Sequence, residues 1–298
     1  MSSYIKKVKL KQDNVAYLYI APMLFFFLLY IAYPIIYMFY VSFLDWNGIT
    51  PGGEIFVGLK NYLDIIFNDE IFHKAFLNTF IWTASTVVIQ TITGFIFALL
   101  LNQKIKGRSI YRAIFFLPVT LTTSLIAVVW CWILNPEVGP INYILKSIGL
   151  DVLARSWLSD IELVLPVVIL IGVWKWVGIS IVIYLAALQT IPYELYEAAI
   201  IDGTNYLGKI RHVTIPLIAS TTWLLIILST IGSFKEFEMV YVMTRGGPNY
   251  HSQLLSLELY RNIFMVFKAG RGSAVGVIIF VIMLLFTVIF VKFSRRTI

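Results

Sequence analysis

Long stretches without one charged side chain constrain this sequence more than anything else in it. Residues 14–44, 75–101, 113–134, 213–234 and 272–291 contain no Asp, Glu, Lys or Arg. A sixth stretch, 163–188, is interrupted only by Lys175. Each is long enough for the ~20 residues that a helix needs to cross the hydrocarbon core. Spanning β-strands would be shorter, roughly 10 residues, with alternating polarity. The first run, at 31 residues, is far longer than the apolar part of a signal peptide, about 7–15 residues. The pattern predicts an all-α integral membrane protein with six transmembrane helices, near 16–43, 76–101, 113–134, 163–188, 213–241 and 272–292. Residues 1–13 form a tail, and 14–298 a single transmembrane domain.

Composition agrees. The chain is 59% hydrophobic and 13% charged, against roughly 25% charged in soluble domains. One cysteine, Cys131, excludes an intramolecular disulfide framework and any CxxC site. His73, His212 and His251 are far apart and form no HExxH pattern. No metal site and no catalytic constellation is read. The net charge of +7 fits membrane-anchoring loops better than nucleic acid.

Lys and Arg set the orientation. One set of flanks carries Lys6, Lys7, Lys9, Lys11, Lys104, Lys106, Arg108, Arg112, Lys209, Arg211, Lys292, Arg295 and Arg296, thirteen in all. The opposite loops carry eight, spread over longer segments. Both termini and segment 192–216 are therefore expected in the cytoplasm of a multi-pass plasma (inner) membrane protein. Loops near 45–74, 135–160 and 242–271 are expected outside. Those loops contain Trp46, Tyr62, Phe67, Tyr143 and Trp157, with turn signals at Asn47-Gly48, Pro51-Gly52-Gly53 and Gly246-Gly247-Pro248. They read as folded.

Segment 192–216, PYELYEAAIIDGTNYLGKIRHVTIP, is polar between two apolar runs. Pro192 suits a first helical position, and Glu194 and Glu197 suit the first turns. Asp202-Gly203 signals a break. A second helix is predicted over 204–212, with Lys209 and Arg211 near its end. At about 24 residues it exceeds a bare connector of ~2–8, so the segment reads as a helical hairpin that docks to something. Residues 203–210, GTNYLGKI, almost match the phosphate-binding pattern GxxxxGK[ST]. Ile210 stands where Mg²⁺ needs a hydroxyl, and no strand precedes.

The stretch Glu197-Ala198-Ala199 through Asp202-Gly203, followed twelve residues on by Ile215-Pro216, resembles the EAA loop of ABC-importer permeases. Val213 and Ile215 stand at that motif's Ile and Leu positions, Thr204 where Ala is usual and Ile210 where Phe is common. Further resemblance lies in Asn78-Thr79, 97–102 (FALLLN), Tyr111-Arg112 through Leu117-Pro118, 184–192 (YLAALQTIP) and 244–248 (TRGGP). The chain is similar to carbohydrate-importer permeases of the maltose and glycerol-phosphate type, in the binding-protein-dependent transport family. The resemblance implies a type I ABC-importer permease core of six helices and a non-enzymatic subunit. Its implied partners are a second homologous permease in a heterodimer, a cytoplasmic ATPase dimer, an extracellular or periplasmic solute-binding protein and the bilayer, with no nucleic acid. ATP and Mg²⁺ would be used by the ATPase, and this chain would bind no cofactor. Glu197 would be the polar contact to the ATPase, Ala198 and Ala199 the close-packing surface and Gly203 the bend.

Charges inside the membrane cost about 2.5–3.5 kcal/mol each on insertion scales, so they face partners or water. Lys175, between Trp174 and Trp176, falls near mid-membrane. Lys235, Glu236 and Glu238 interrupt the fifth span, and Lys235 and Glu238 are expected to share a helical face. With Phe237 and Tyr241, these residues are read as a polar, aromatic lining for a sugar. The four charges sum to zero, so a structural ion pair or contact with the second permease fits as well. Two alternatives stand beside a carbohydrate importer. One is an ABC permease for another solute. The other is an ion-gradient-driven transporter, which would usually carry an internal repeat.

Overall fold

The computed structural model describes residues 17, 19–103 and 105–297, with side chains through Phe293. The tail 1–13 and Lys104 lie outside the described residues, as do the side chains of Arg295 and Arg296. Among the described residues, four helices are long and apolar enough to cross a membrane: α1 (Tyr19–Ser42), α3 (Glu70–Asn102), α7 (Val164–Gln189) and α13 (Ala269–Thr297). Two further apolar stretches are bent pairs. Arg108–Thr120 (α4) meets Thr123–Ile133 (α5) at 99°, and Tyr206–Leu217 (α9) meets Ala219–Phe234 (α10) at 68°.

The spans expected over 113–134 and 213–241 are thus each interrupted. In the first, Pro118 removes a backbone donor inside α4, and Leu121 and Thr122 turn extended, with ψ of 148° and 146°. Thr122 then caps α5 by accepting from Leu125 N–H. In the second, Pro216 follows a widened turn over Ile210–Thr214, and the chain swivels at Ile218. Helix α10 stops at Phe234, and residues Glu238–Met243 form a separate short helix, α11.

Helix α7 is the axis of the bundle, with 61% of its apolar window buried against 6% for α1. Lipid tails are as apolar as leucine, so helices associate through close packing at small residues. A Cβ at Gly178 would stand 2.3 Å from the Phe115 carbonyl oxygen of α4, and one at Gly94 would stand 2.6 Å from Ser180 Cβ. Helix α3 therefore lies along α7 at backbone range, and α4 crosses it there.

One end of the bundle carries the hairpin formed by α8 (Tyr193–Ile201) and α9. The other is rich in loops. There β1 (Leu44–Asp45) pairs antiparallel with β2 (Ile55–Phe56), a small departure from an all-α reading. Helices α2 (Lys60–Asn68), α6 (Pro140–Ser147) and α12 (Leu255–Tyr260) lie in the same loops. Buried Glu258 accepts from Gln253, Asn262 and, through both oxygens, Arg261. Asp69 caps α3 by accepting from Ile71 and Phe72 N–H, and it pairs with Arg271 of α13.

Burial pushes the Asp69 carboxyl up. Hydrogen bonds from Phe72 and Ile71 and the Arg271 guanidinium outweigh it, leaving the group below its ordinary value. Its stabilisation is therefore present above the unfolded carboxylate value, about 3.9, and lost as pH falls through the lower folded value. Asp69→Asn keeps a good cap but removes the charge paired with Arg271, and is expected to cost about 1–2 kcal/mol at neutral pH. It should also flatten the acid limb of a thermal-unfolding profile in detergent. An unchanged acid limb would refute the assignment.

Candidate functional site

The hairpin bend is built by a specific hydrogen-bond pattern. Helix α8 ends at Asp202, Gly203 N–H donates to Ile200 O at 3.0 Å and Thr204 N–H to Ala199 O at 2.9 Å. With Gly203 at φ 75°, this is a Schellman motif. Asn205 then caps α9 by accepting from Gly208 N–H at 2.8 Å. The two arms are tied by Tyr196 Oη and Thr214 Oγ1, 3.1 Å apart. Pro192 precedes the helix as its cap instead of opening it. Residues 203–210 are the bend and second arm; the described strands are both elsewhere.

Glu197, Ala198, Asp202, Gly203, Ile215 and Pro216 are exposed. Ala199 is not. It is buried against the chain, which corrects the expectation that both alanines face a partner. Beside the bend stand Ile201, 85% exposed, and Leu207, 72% exposed. A charged residue, a small residue and bare aliphatics on a capped hairpin form a surface that another protein can cover.

Inside the membrane the predicted lining separates into three groups. Trp176 and Glu236 border a cavity of about 240 Å³ between α3, α7 and α10. Trp174 lies elsewhere on α7, edge-to-face with Trp130 at 5.6 Å, in a separate apolar hollow of about 320 Å³ with Trp157. Phe237 and Tyr241 stack on each other at 5.1 Å and meet Tyr260, outside both hollows.

Lys175 is buried and does not border the cavity. Its Nζ donates to Leu121 O at 3.1 Å and lies 4.1 Å from the Trp176 ring centroid. Leu121 is where the α4–α5 span breaks. Across the same break, Glu238 accepts from Ser124 N–H at 3.0 Å and from Ser124 Oγ. The cation serves the carbonyl end of α4 and the acid serves the amide end of α5, the favourable sense for both helix dipoles. These two charges work as caps. Lys235 ends α10, is exposed, and does not share a helix with Glu238, because the helix is interrupted at 235–237. Glu236 accepts from Met239 N–H at 3.0 Å.

Residues that sequence reasoning did not single out complete the cavity: Trp82, Thr86 and Gln90 of α3, Ser180 of α7, and Ser229 and Ser233 of α10. Thr86 Oγ1 and Ser233 Oγ are 2.7 Å apart, and Ser229 Oγ donates to Gln90 Oε1 at 3.1 Å. Their signal was the four-residue spacing of Thr86 with Gln90, and of Ser229 with Ser233, in apolar runs.

The bundle, its polar interior and its end-on hairpin define a multi-pass transport permease. A family model described as binding-protein-dependent transport system inner membrane component matches residues 90–298, and the chain belongs to that family. It is 34% identical to a probable ABC transporter permease, YurN, of Bacillus subtilis (strain 168), over 94% of this chain and 96% of that one. It is 33% identical to the trehalose/maltose transport system permease MalF of Thermococcus litoralis, over 97% and 96%. The arabinooligosaccharides transport system permease AraP of Bacillus subtilis (strain 168) is 33% identical, over 93% and 88%. In fold, the chain is similar to a chain of a bacterial ABC transporter that imports the acidic polysaccharide alginate. The TM-score is 0.84 at 24% identity, covering 97% of both chains.

Glu238→Ala leaves the first turn of α5 without its acceptor, a loss of about 0.5–2 kcal/mol for a helix cap. The expected result is a lower unfolding temperature in detergent with solute affinity within about twofold of wild type. A changed affinity at unchanged stability would move Glu238 from cap to lining.

Proposed function

We propose that the chain is the permease subunit of an ATP-driven importer. With a second permease it forms an alternating-access pathway for a carbohydrate, probed most directly with oligosaccharides, handed over by an extracellular binding protein. The observation that carries this is the capped, exposed hairpin placed between the two helices that line the cavity. Helix α7 supplies Trp176 and Ser180 and runs into α8 through Thr190–Pro192; α9 runs through Ile218 into α10, which supplies Ser229 and Ser233. A force on the hairpin reaches both walls at once. The solute class is supported by relatives named for trehalose/maltose and arabinooligosaccharide transport.

In this reading both termini and the hairpin face the cytoplasm. A separate ATPase dimer uses ATP and Mg²⁺ and grips the hairpin through Glu197, Ala198 and the apolar pair Ile201 and Leu207. Its closing and opening rotate α7 and α10 as rigid bodies, because the Tyr196–Thr214 tie joins the hairpin arms. Ile218, buried against Ala98, Leu101 and Leu188, anchors the second arm in the core. Sugars suit the cavity: hydroxyls and an amide meet their O–H groups, and Trp82 and Trp176 offer flat faces to their C–H surfaces.

Cys131→Ser with Ala198→Cys gives one addressable thiol. It is expected to cross-link to the ATPase and to resist impermeant reagents added outside the cell. Glu197→Lys should leave the protein inserted while uptake falls by about tenfold or more, as a like-charge or unpaired contact at a desolvated interface predicts. External labelling at position 198, or full uptake by the Glu197 variant, would overturn the docking.

A further inference from the structure

We infer that the hairpin carries a second ligand site, a pocket for a neutral saccharide whose occupation holds the hairpin and slows uptake; this rests on the reading of the solute as a carbohydrate released on the hairpin side. A hollow of about 420 Å³ lies between the end of α3 and both arms of the hairpin. Asn102 and Gln103 border it from the end of α3, Tyr193 and Tyr196 from α8, and Tyr206 and Lys209 from α9. Its size falls within the roughly 300–1,000 Å³ of small-molecule sites. Among the described residues, no side-chain hydrogen bond ties Asn102, Gln103, Tyr193, Tyr206 or Lys209 to the rest of the chain. Uncommitted polar groups from three elements therefore converge on one space. On α8, Tyr193, Tyr196 and Ile200 are three and four residues apart and share the face that borders it. Glu197, Ala198 and Ile201, read above as facing the ATPase, project from the neighbouring face. The pocket and the docking surface are different sides of one hairpin.

The chemistry of the walls selects the ligand class. Lys209 is the only charged side chain among the described residues that border the hollow. Against it stands the carbonyl end of α3, whose last turn has no basic residue. The cation disfavours an ammonium ligand, and the dipole end disfavours a phosphate or carboxylate. A hydroxyl suits both, because it donates to carbonyl oxygens and accepts from Lys209 and the amide NH₂ groups. Tyrosine rings add flat apolar faces that match sugar C–H surfaces. Tyr193 and Tyr206 are exposed, so a solute reaches them from water. Helix α3 also borders the membrane cavity at Gln90, and Asn102 lies twelve residues further on, about 18 Å along the same helix. A sugar moving along α3 toward the hairpin comes to this hollow. Held there, it bridges α3 to both arms, and in the proposed mechanism the hairpin has to move against α3. Occupation favours one position of the hairpin, so sugar that accumulates inside slows further uptake.

The test uses the assembled importer in proteoliposomes, with ATPase and ATP inside and labelled maltose, trehalose or maltotriose outside with the binding protein. Vesicles are preloaded with the same sugar, unlabelled, at about 10 mM, above the ~1 mM dissociation constant of a weak site, or with glycine at equal osmolarity. Preloaded sugar is expected to slow initial uptake by wild type about threefold or more. Asn102→Ala and Lys209→Gln should fill glycine-loaded vesicles within about twofold of the wild-type rate and lose most of the slowing. Labelling gives a second readout that needs no transport. With Tyr206→Cys in a Cys131→Ser background, sugar should slow maleimide labelling of the importer in nanodiscs at position 206, and leave labelling of the matching Ala198→Cys importer unchanged. Slowing that survives in both variants assigns it to the membrane cavity and overturns the inference. So does wild-type uptake that internal sugar leaves unchanged, or protection at position 206 that follows the lipid headgroup and not the sugar. If none of the sugars enters while a peptide or amino acid does, the carbohydrate reading itself fails and takes this one with it.

Discussion

Lipid offers no water to an unpaired peptide group, so a chain that breaks a helix inside the bilayer must supply its own hydrogen-bond partners there. This chain interrupts the α4–α5 span at residues 121–122, and Lys175 and Glu238 make the interruption tolerable. Lys175 reaches the carbonyl of Leu121 from α7, and Glu238 reaches the amide and hydroxyl of Ser124 from α11. The signs are fixed by the half-helices themselves: a carbonyl terminus attracts a cation and an amide terminus an anion. Exchanging the two charges would put each beside the wrong dipole end. The break, the two charges and the packing of α7 between them are therefore one structural unit.

The second interruption follows the same logic with weaker groups. Where α10 ends, Ser256 Oγ donates to the Glu236 carbonyl and Met239 N–H donates to the Glu236 carboxylate. The stop matters for what the bundle can enclose. Had α10 continued to Tyr241 as the hydropathy suggests, Lys235 and Glu238 would share one face and could neutralise each other. Because it stops, Lys235 goes to solvent, Glu238 goes to the first break, and Glu236 is left at the edge of the cavity with its carboxyl held. One helix terminus thus separates four nearby charges into three environments.

The bundle was legible in the sequence because charge-free runs have few other uses, and the hairpin bend because Asp-Gly after a short helix calls for a left-handed residue. The interior was less legible, for physical reasons. A single proline such as Pro118 does not by itself break a membrane helix, since neighbouring side chains can satisfy the freed carbonyls. Whether they do depends on partners 54 and 114 residues away, Lys175 for Leu121 and Glu238 for Ser124. Trp174 and Trp176 looked like one platform, but residues two apart on an α-helix point about 200° from each other. They fall on different sides of α7, one in each hollow. The same rotation, about 100° for adjacent residues, explains why Ala198 is exposed and Ala199 buried.

The close helix contacts bear on how the proposed motion spreads. At Gly178 the backbone of α7 approaches the Phe115 carbonyl of α4 with no side chain between. Three residues earlier on α7, Lys175 holds the end of that same helix at Leu121. A rotation of α7 started at the hairpin therefore cannot leave α4 behind without breaking a hydrogen bond that lipid would not replace. The α4–α5 break has to move as a joint, with Glu238 carrying the α5 side. In that proposed motion Lys175 and Glu238 would keep the interrupted helices moving with α7, whose other face, with Glu236, borders the cavity.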